Sequence, residues 1–263
     1  MGIRDRLSRA EWDCIGTESD AELTRTLLSC ALVCRTWRDR ARLHLYANVQ
    51  LSSINVAKFL STLRKNRNFP LSTIKKMVVS CDRYPASVLF TTKLDNLRHL
   101  QLTTMNLSLE HPLSSRAVLA RSVRTLVLRV LTGCTVSSLI RFLNSFQSVT
   151  VLELSFSSKE LGHGQQILPP PHPKPNRSLR TLNLHIIPGT SVLVEWYIRE
   201  GVFLANLKEL HLNFQLFVKD GNHRAYFDSG RALLRHCANS LEVLALSIQY
   251  MPKIEEISDM RKF

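Results

Sequence analysis

Seven short segments of the chain share one spacing of apolar and polar residues, apolar-x-x-apolar-x-apolar. The clearest copy is Leu97-Arg98-His99-Leu100-Gln101-Leu102, and successive copies begin 23, 26, 26, 30, 28 and 34 residues apart. Side chains alternate between the two faces of a strand, so the last two apolar residues of each copy point together into a core. The seven apolar triplets are Ile74/Met77/Val79, Leu97/Leu100/Leu102, Val123/Leu126/Leu128, Val149/Leu152/Leu154, Leu179/Leu182/Leu184, Leu207/Leu210/Leu212 and Leu241/Leu244/Leu246.

Apolar residues at helical spacing lie between these strand segments. They predict helices over 54–63, 137–146 and 191–198, and weaker candidates over 113–121 and 226–237, where Gly230 lowers helix propensity. A strand and a helix alternating at this period indicate an α/β fold of the leucine-rich-repeat class, a right-handed, horseshoe-like solenoid of about seven irregular repeats. Its parallel sheet would form the inner wall and its helices the outer side. The segment 46–51 has the repeat spacing and predicts a capping strand.

A proline-rich stretch interrupts the repeats. Residues 157–178 contain two glycines and five prolines, which predicts a loop in place of one helix. The run Pro-Pro-Pro-His-Pro-Lys-Pro could present a polyproline II ligand, and a tolerated insertion is the alternative. Few residues follow the last strand, so we expect either a poorly capped end that exposes core or a sequence that stops short of the usual length of such repeat proteins. The chain as a whole predicts a helical domain over 1–50 and a solenoid over 51–263.

The N-terminal part has a different pattern. Apolar residues at positions 23, 27, 30, 31, 34 and 37 follow the spacing of one helix face. We interpret this region as a helix pair that packs on itself or in the groove of a partner. The spacing also suggests that Cys30 and Cys34 are small buried apolar residues.

The sequence of this helix pair resembles the second half of a fungal F-box. The resemblance rests on Leu-Ser-Cys-Ala-Leu-Val-Cys-Arg-Thr-Trp over 28–37, followed by Arg-Leu-His-Leu-Tyr-Ala-Asn-Val-Gln-Leu over 42–51. The Leu-Pro-x-Glu type of opening of that family is absent, because the chain has Leu-Ser-Arg-Ala-Glu-Trp over 7–12 and no proline before Pro70. Either the box is degenerate at its start or the chain lacks part of the opening.

The resemblance implies a partner and a role. F-box proteins bind the Skp-type adaptor of cullin–RING ubiquitin ligases, and apolar residues of their helices fill the adaptor's groove. It implies that some of these side chains face the adaptor and others face the core of the box itself. The implied adaptor-binding residues are Leu28, Leu32, Val33, Cys34 and Trp37.

The charge of the chain is large and uneven. The net charge is +14; residues 1–50 carry eight Lys or Arg and seven Asp or Glu, whereas residues 51–263 carry 27 and 14. A basic repeat domain favours an acidic partner or nucleic acid, and a solvated basic surface is the alternative. The outward strand positions are mixed in charge and lack aromatics, which argues against nucleic acid and for a target protein. The candidate target-binding residues are His99, Gln101, Thr103, Arg129, Glu153, Asn183, His185, Glu209, His211 and Asn213.

Motifs of catalysis and cofactor binding are absent from the sequence. It contains no P-loop, Rossmann glycine pattern, nucleophile elbow or His-Glu-x-x-His, and its six cysteines form no C-x-x-C pair. We expect reduced cysteines, no metal, no cofactor, no membrane span and a cytoplasmic or nuclear location. The sequence therefore predicts a non-enzymatic substrate-recognition subunit of a Skp–cullin–F-box type ligase. The alternatives are a repeat scaffold without ligase association and, more weakly, RNA binding through the outer basic face.

Overall fold

The computed structural model describes residues 21–65, 71–80, 94–103, 121–129, 136–155, 178–186, 191–200, 204–217 and 223–251. The chain divides into two compact units, Met1–Arg124 and Thr125–Phe263. The predicted helix over 113–121 and the proline-rich stretch over 157–178 fall almost entirely outside the described residues. The residues after 251 lie outside them as well.

The strands follow one another in chain order in an open, parallel sheet of eight strands, which confirms the predicted α/β class. The first unit carries three of them and the second unit five. The sheet comprises β1 (Asn48–Ser52), β2 (Lys76–Ser80), β3 (His99–Thr103), β4 (Thr125–Arg129), β5 (Val151–Ser155), β6 (Thr181–Ile186), β7 (Glu209–Phe217) and β8 (Val243–Met251).

Equivalent residues of the repeat stand opposite each other in neighbouring strands. Leu100 of β3 pairs with Met77 of β2, and Leu182 of β6 pairs with Leu210 of β7. All of these side chains are buried, while the residues between them are partly exposed, as period-two alternation requires. The seven apolar triplets were therefore read correctly as strands, and the segment at 46–51 contributes an eighth, β1.

The chain enters most strands through the same backbone contact. The carbonyl oxygen of the residue just before one strand accepts hydrogen bonds from two successive N–H groups of the next repeat. Thus Lys75 O accepts from Arg98 N at 2.8 Å and His99 N at 3.0 Å, and Arg180 O accepts from Lys208 N at 2.7 Å and Glu209 N at 2.9 Å. These bonds pair backbone groups that would otherwise be left without partners at the strand ends, and they fix the register of the repeats.

Two helices precede β1, and among the described residues a helix follows β1, β4, β6 and β7, close to the predicted helices over 54–63, 137–146, 191–198 and 226–237. In the first unit these are α1 (Ala21–Val33), α2 (Arg35–Leu45) and α3 (Val56–Lys65). In the second unit they are α4 (Val136–Asn144), α5 (Ser191–Glu200) and α6 (His223–Cys237). Helix α6 includes Gly230, whose position has a packing reason: a Cβ atom there would lie 2.8 Å from Cζ of Phe214 on β7.

Two expectations about burial need correction. Cys34 is exposed and Cys30 only half-buried, because the helix ends at Val33 and a new helix starts at Arg35. Val127, at an outward position of β4, is buried. Leu244 and Leu246 point to the core side of β8, yet both are exposed, as expected of a poorly capped end. Among the described residues, no helix is long and apolar enough to cross a lipid bilayer.

Candidate functional site

Two surfaces of the described chain carry the residues predicted to bind partners. The first is the turn between α1 and α2, in the first unit. The second is the outward face of β5–β8, in the second unit. Four other predicted residues lie outside β5–β8: Arg129 is exposed on β4 of the second unit, and His99, Gln101 and Thr103 are partly exposed on β3 of the first unit.

The helix pair has a small core of its own. Ala31 of α1 and Ala41 and Leu45 of α2 are buried together, and Leu27, Leu28 and Cys30 pack against them. Leu28, one of the predicted adaptor-binding residues, is therefore partly buried against the core of the pair, and part of its apolar surface packs between the two helices.

The other four predicted residues lie on the surface at the turn. Leu32 is 83% exposed, Val33 69% and Trp37 52%, and Cys34 between them is exposed as well. We call these four residues the elbow patch. Large apolar side chains that remain in water next to one another, with charged residues around them, are typical of a protein interaction site.

Hydrogen bonds hold the turn that presents the elbow patch. Arg38 N donates to Cys34 O at 2.9 Å, which starts α2 immediately after α1 ends. The Arg38 side chain reaches back, and its Nε donates to Ala31 O at 3.4 Å, one of the last carbonyls of α1. Arg35 and Arg40 are exposed beside the patch. The patch is thus an apolar surface on an ordered turn, with a basic rim.

On the second surface, a cleft of about 320 Å³ lies over β5–β8. The parallel register places Asn183 between Glu153 and His211, and His185 opposite Asn213. Ala245 and Ser247 of β8 are small, so they leave room at one side. The structure therefore brings five predicted target-binding residues together on the strand face that forms the floor of the cleft.

An ion pair neutralises the charged side of this cleft. Oε1 of Glu153 accepts from Nη2 of Arg129 at 2.6 Å and from Nε at 2.9 Å. Near the start of β7, Thr181 Oγ1 donates to Glu209 Oε2 at 3.2 Å, and His211 Nε2 lies 3.9 Å from the same carboxylate oxygen. The surface that remains consists mainly of carboxamides, imidazoles and a hydroxyl group.

Burial also keeps one imidazole of the cleft neutral. Desolvation lowers the pKa of His185, the nearby Glu153 opposes that effect, and Arg129 adds to it. Three polar atoms of the floor, Asn183 Oδ1, His185 Nδ1 and Asn213 Oδ1, are buried without a hydrogen-bond partner in the protein. Such a floor offers hydrogen bonds to an uncharged polar segment. Small rotations of the Asn183 and Asn213 carboxamides would let their unpaired oxygens accept these bonds.

Metal binding finds no support in the part of the chain that the structure describes. No three His, Cys, Asp or Glu side chains there are grouped so that they could hold an ion. The two histidines of the cleft lie on adjacent strands but in different rows of the register, His211 beside Asn183 and His185 beside Asn213.

Sequence reasoning missed one charged feature. In five of the seven repeats, the residue after the first apolar position is Lys or Arg: Lys75, Arg98, Arg124, Arg180 and Lys208. These residues fall just before the strands, so an inspection of three outward positions within each strand leaves them out. The signal was present in the sequence, as a basic residue recurring at one position of the repeat.

No protein-family model, curated protein or solved structure matches this chain. The function is therefore argued from its two candidate surfaces.

Proposed function

We propose that this chain is a non-enzymatic substrate-recognition subunit of a Skp–cullin–F-box type ubiquitin ligase. The elbow patch binds the adaptor, and the sheet holds a target protein for ubiquitin transfer by other subunits. Proximity is then the contribution of the chain, since it carries out no bond chemistry itself. Such a subunit would work in the cytoplasm or nucleus.

The observation that carries the proposal is the exposure of Leu32, Val33 and Trp37 at one ordered turn. These residues match the F-box pattern, and the fold does not use them for its own core. Burying large apolar side chains in a partner's groove supplies about 1.5–3 kcal/mol per side chain. A three-residue anchor of this kind supports specific binding without any charged contact.

The sheet is the second part of the proposal. Parallel strands in chain order, with helices described in four of the connections and one backbone contact repeated at the strand starts, support a leucine-rich-repeat solenoid. On this reading, the outward strand face is the concave wall of the solenoid, and the cleft over β5–β8 is where a target segment binds. Its neutral hydrogen-bonding floor favours a protein segment over a nucleic acid backbone.

Adaptor binding is tested by co-expressing the full chain with a Skp-type adaptor and measuring co-purification. Trp37→Glu and Leu32→Glu are expected to abolish co-purification, because each places a charge in an apolar contact. The matched control is Leu43→Glu, since Leu43 is also on α2 and 54% exposed but lies outside the elbow patch. That variant is expected to bind as the parent chain does.

Two results would refute the ligase role. One is no adaptor binding by the parent chain while an intact F-box protein binds under the same conditions. The other is equal binding by the Trp37 and Leu43 variants. Retained binding of partners through the sheet, without the adaptor, would support the alternative of a repeat scaffold.

A further inference from the structure

Basic residues lie in a row at the N-terminal ends of successive strands in the first unit. Lys75 precedes β2, Arg98 precedes β3, and Arg124 is the last residue of the unit, just before β4; all three are exposed. Lys76, the first residue of β2, is exposed beside Lys75. We call Lys75, Lys76, Arg98 and Arg124 the basic row.

The backbone fixes the spacing of this row. Lys75 O accepts from Arg98 N, and Arg98 O accepts from Arg124 N, each at 2.8 Å. The three residues therefore occupy the same place in successive repeats, and neighbouring strands lie about 4.8 Å apart. The N-terminal ends of three strands in register therefore span roughly 10 Å, which corresponds to three or four residues of extended chain.

Three of the four charges of the basic row have no ion-pair partner among the described residues. Among the described residues, Lys75, Lys76 and Arg98 form no ion pair; the Arg98 side chain donates from Nη1 to Ser122 O at 3.4 Å. In the second unit, a cation at the same position of the repeat is paired. There Lys208 forms an ion pair with Glu242, the equivalent residue of the next repeat.

We infer that the basic row binds an acidic extended segment of a partner protein, a run of three or four Asp or Glu residues. Lined-up cations at strand spacing attract consecutive carboxylates and steer their approach. The neighbouring outward residues of β2 and β3 are Val78, Ser80, His99, Gln101 and Thr103, with no Phe, Tyr or Trp. A single-stranded nucleic acid would lack the aromatic stacking platform on which such ligands usually rest.

The inference stands apart from the proposed adaptor contact. The basic row and the elbow patch share no residue, so a variant of one surface leaves the other unchanged. An acidic target segment is also distinct from the uncharged segment that suits the cleft of the second unit.

The test uses the full chain and a fluorescein-labelled octapeptide, Ser-Ser-Glu-Glu-Glu-Glu-Ser-Ser, with the peptide in which Gln replaces each Glu as its neutral counterpart. We expect the Glu peptide to bind at least tenfold more tightly than the Gln peptide, and its affinity to fall steeply with added salt because exposed charges are screened. The double variant Lys75→Gln/Arg98→Gln is expected to weaken binding about tenfold. The single variant Lys75→Gln, which keeps the Arg98 hydrogen bond, is expected to have an intermediate affinity.

The control variant is Lys208→Gln, which removes a cation from the same repeat position where Glu242 already neutralises it. We expect it to bind the Glu peptide within twofold of the parent chain. Equal affinity for the Glu and Gln peptides, or a double variant that binds like the parent, would overturn the inference. So would a single-stranded RNA 12-mer that binds more tightly than the Glu peptide and loses its affinity in the double variant. Adaptor co-purification by the double variant, measured in parallel, reports separately on the proposed function.

Discussion

The helix pair and the strands of the sheet differ in how far they bury their large apolar side chains. Leu100 and Leu102 of β3 are almost completely buried, whereas Leu32 and Val33 at the end of α1 lie mostly in water. The strand leucines meet equivalent residues of the neighbouring strands, so folding consumes their apolar surface. The elbow patch receives no such neighbours among the described residues of the helix pair. The comparison separates apolar residues that build the fold from those that remain for a partner.

The largest expected effect is on stability, at the strand leucines. Leu102→Ala should reduce the free energy of unfolding by about 2–5 kcal/mol, because it leaves a cavity in a close-packed core. Leu32→Ala should change it by less than about 0.5 kcal/mol, as expected of an exposed site. Urea titration followed by circular dichroism measures both values. Similar losses of unfolding free energy in the two variants would contradict the difference in burial between the strand core and the elbow patch.

Close packing on the sheet side is tested more finely at Gly230. A methyl group there would press on the ring of Phe214, which is itself buried and lies 5.0 Å from the ring of Phe227. Alanine gains about 1 kcal/mol in helix propensity, but overpacking costs about 1–3 kcal/mol, so Gly230→Ala should destabilise by roughly 1 kcal/mol.

The double variant Gly230→Ala/Phe214→Leu provides the control for this prediction. In the Phe214→Leu background the ring is gone, so Gly230→Ala should become neutral or stabilising relative to Phe214→Leu alone. The coupling energy comes from four urea titrations. If Gly230→Ala destabilises equally in both backgrounds, contact with the ring is not the cause.

A smaller effect concerns pH and the cleft. Burial lowers the pKa of His185 in the folded state, so the unfolded chain takes up this proton first as the pH falls through about 6.5. The contribution of His185 to stability is therefore present above that pH and is lost as the pH falls toward the folded pKa. His185→Gln should flatten the dependence of unfolding free energy on pH between 7 and 5.5. An unchanged slope would mean that other groups produce it.

The smallest effect is expected on β8. Leu246 is 58% exposed, although its partner in the register, Leu212 of β7, is buried. Leu246→Thr should change the free energy of unfolding by no more than about 0.5 kcal/mol. Leu212→Thr should cost several times more, because it buries a hydroxyl group in the core. A large loss at Leu246, measured in the same titration, would contradict its exposure.

The strands could be predicted from sequence because their signal is local. Residues such as Leu100 and Leu102 are two apart, and period two and the repeat interval together specify both the face and the register. The helix pair was predictable as a pair but not in its orientation. Leu28 and Leu32 are four residues apart, the spacing of one helix face, and only the packing of α2 against α1 covers part of the first and leaves the second outside.

Other features depend on contacts distant in sequence. The close approach of Gly230 to Phe214 joins a helix to the strand that precedes it, 16 positions earlier in the chain. The ion pair of Arg129 with Glu153 joins residues 24 positions apart, and neither residue reveals its partner by local pattern. The exposure of Cys34 follows from a one-residue break between two helices, which periodicity alone reads as a continuous stripe.

The most direct test of the central claim is the environment of Trp37 on mixing the purified full chain with a purified Skp-type adaptor. Of the three tryptophans, Trp12 lies outside the described residues, Trp196 is fully buried and Trp37 is half-exposed, so a shift to shorter wavelength that requires Trp37 reports its burial. We predict a saturable blue shift and reduced quenching by acrylamide, with both signals absent in Trp37→Phe. An adaptor that leaves the emission and quenching of Trp37 unchanged at saturating concentration would contradict the assignment of the elbow patch as its binding surface.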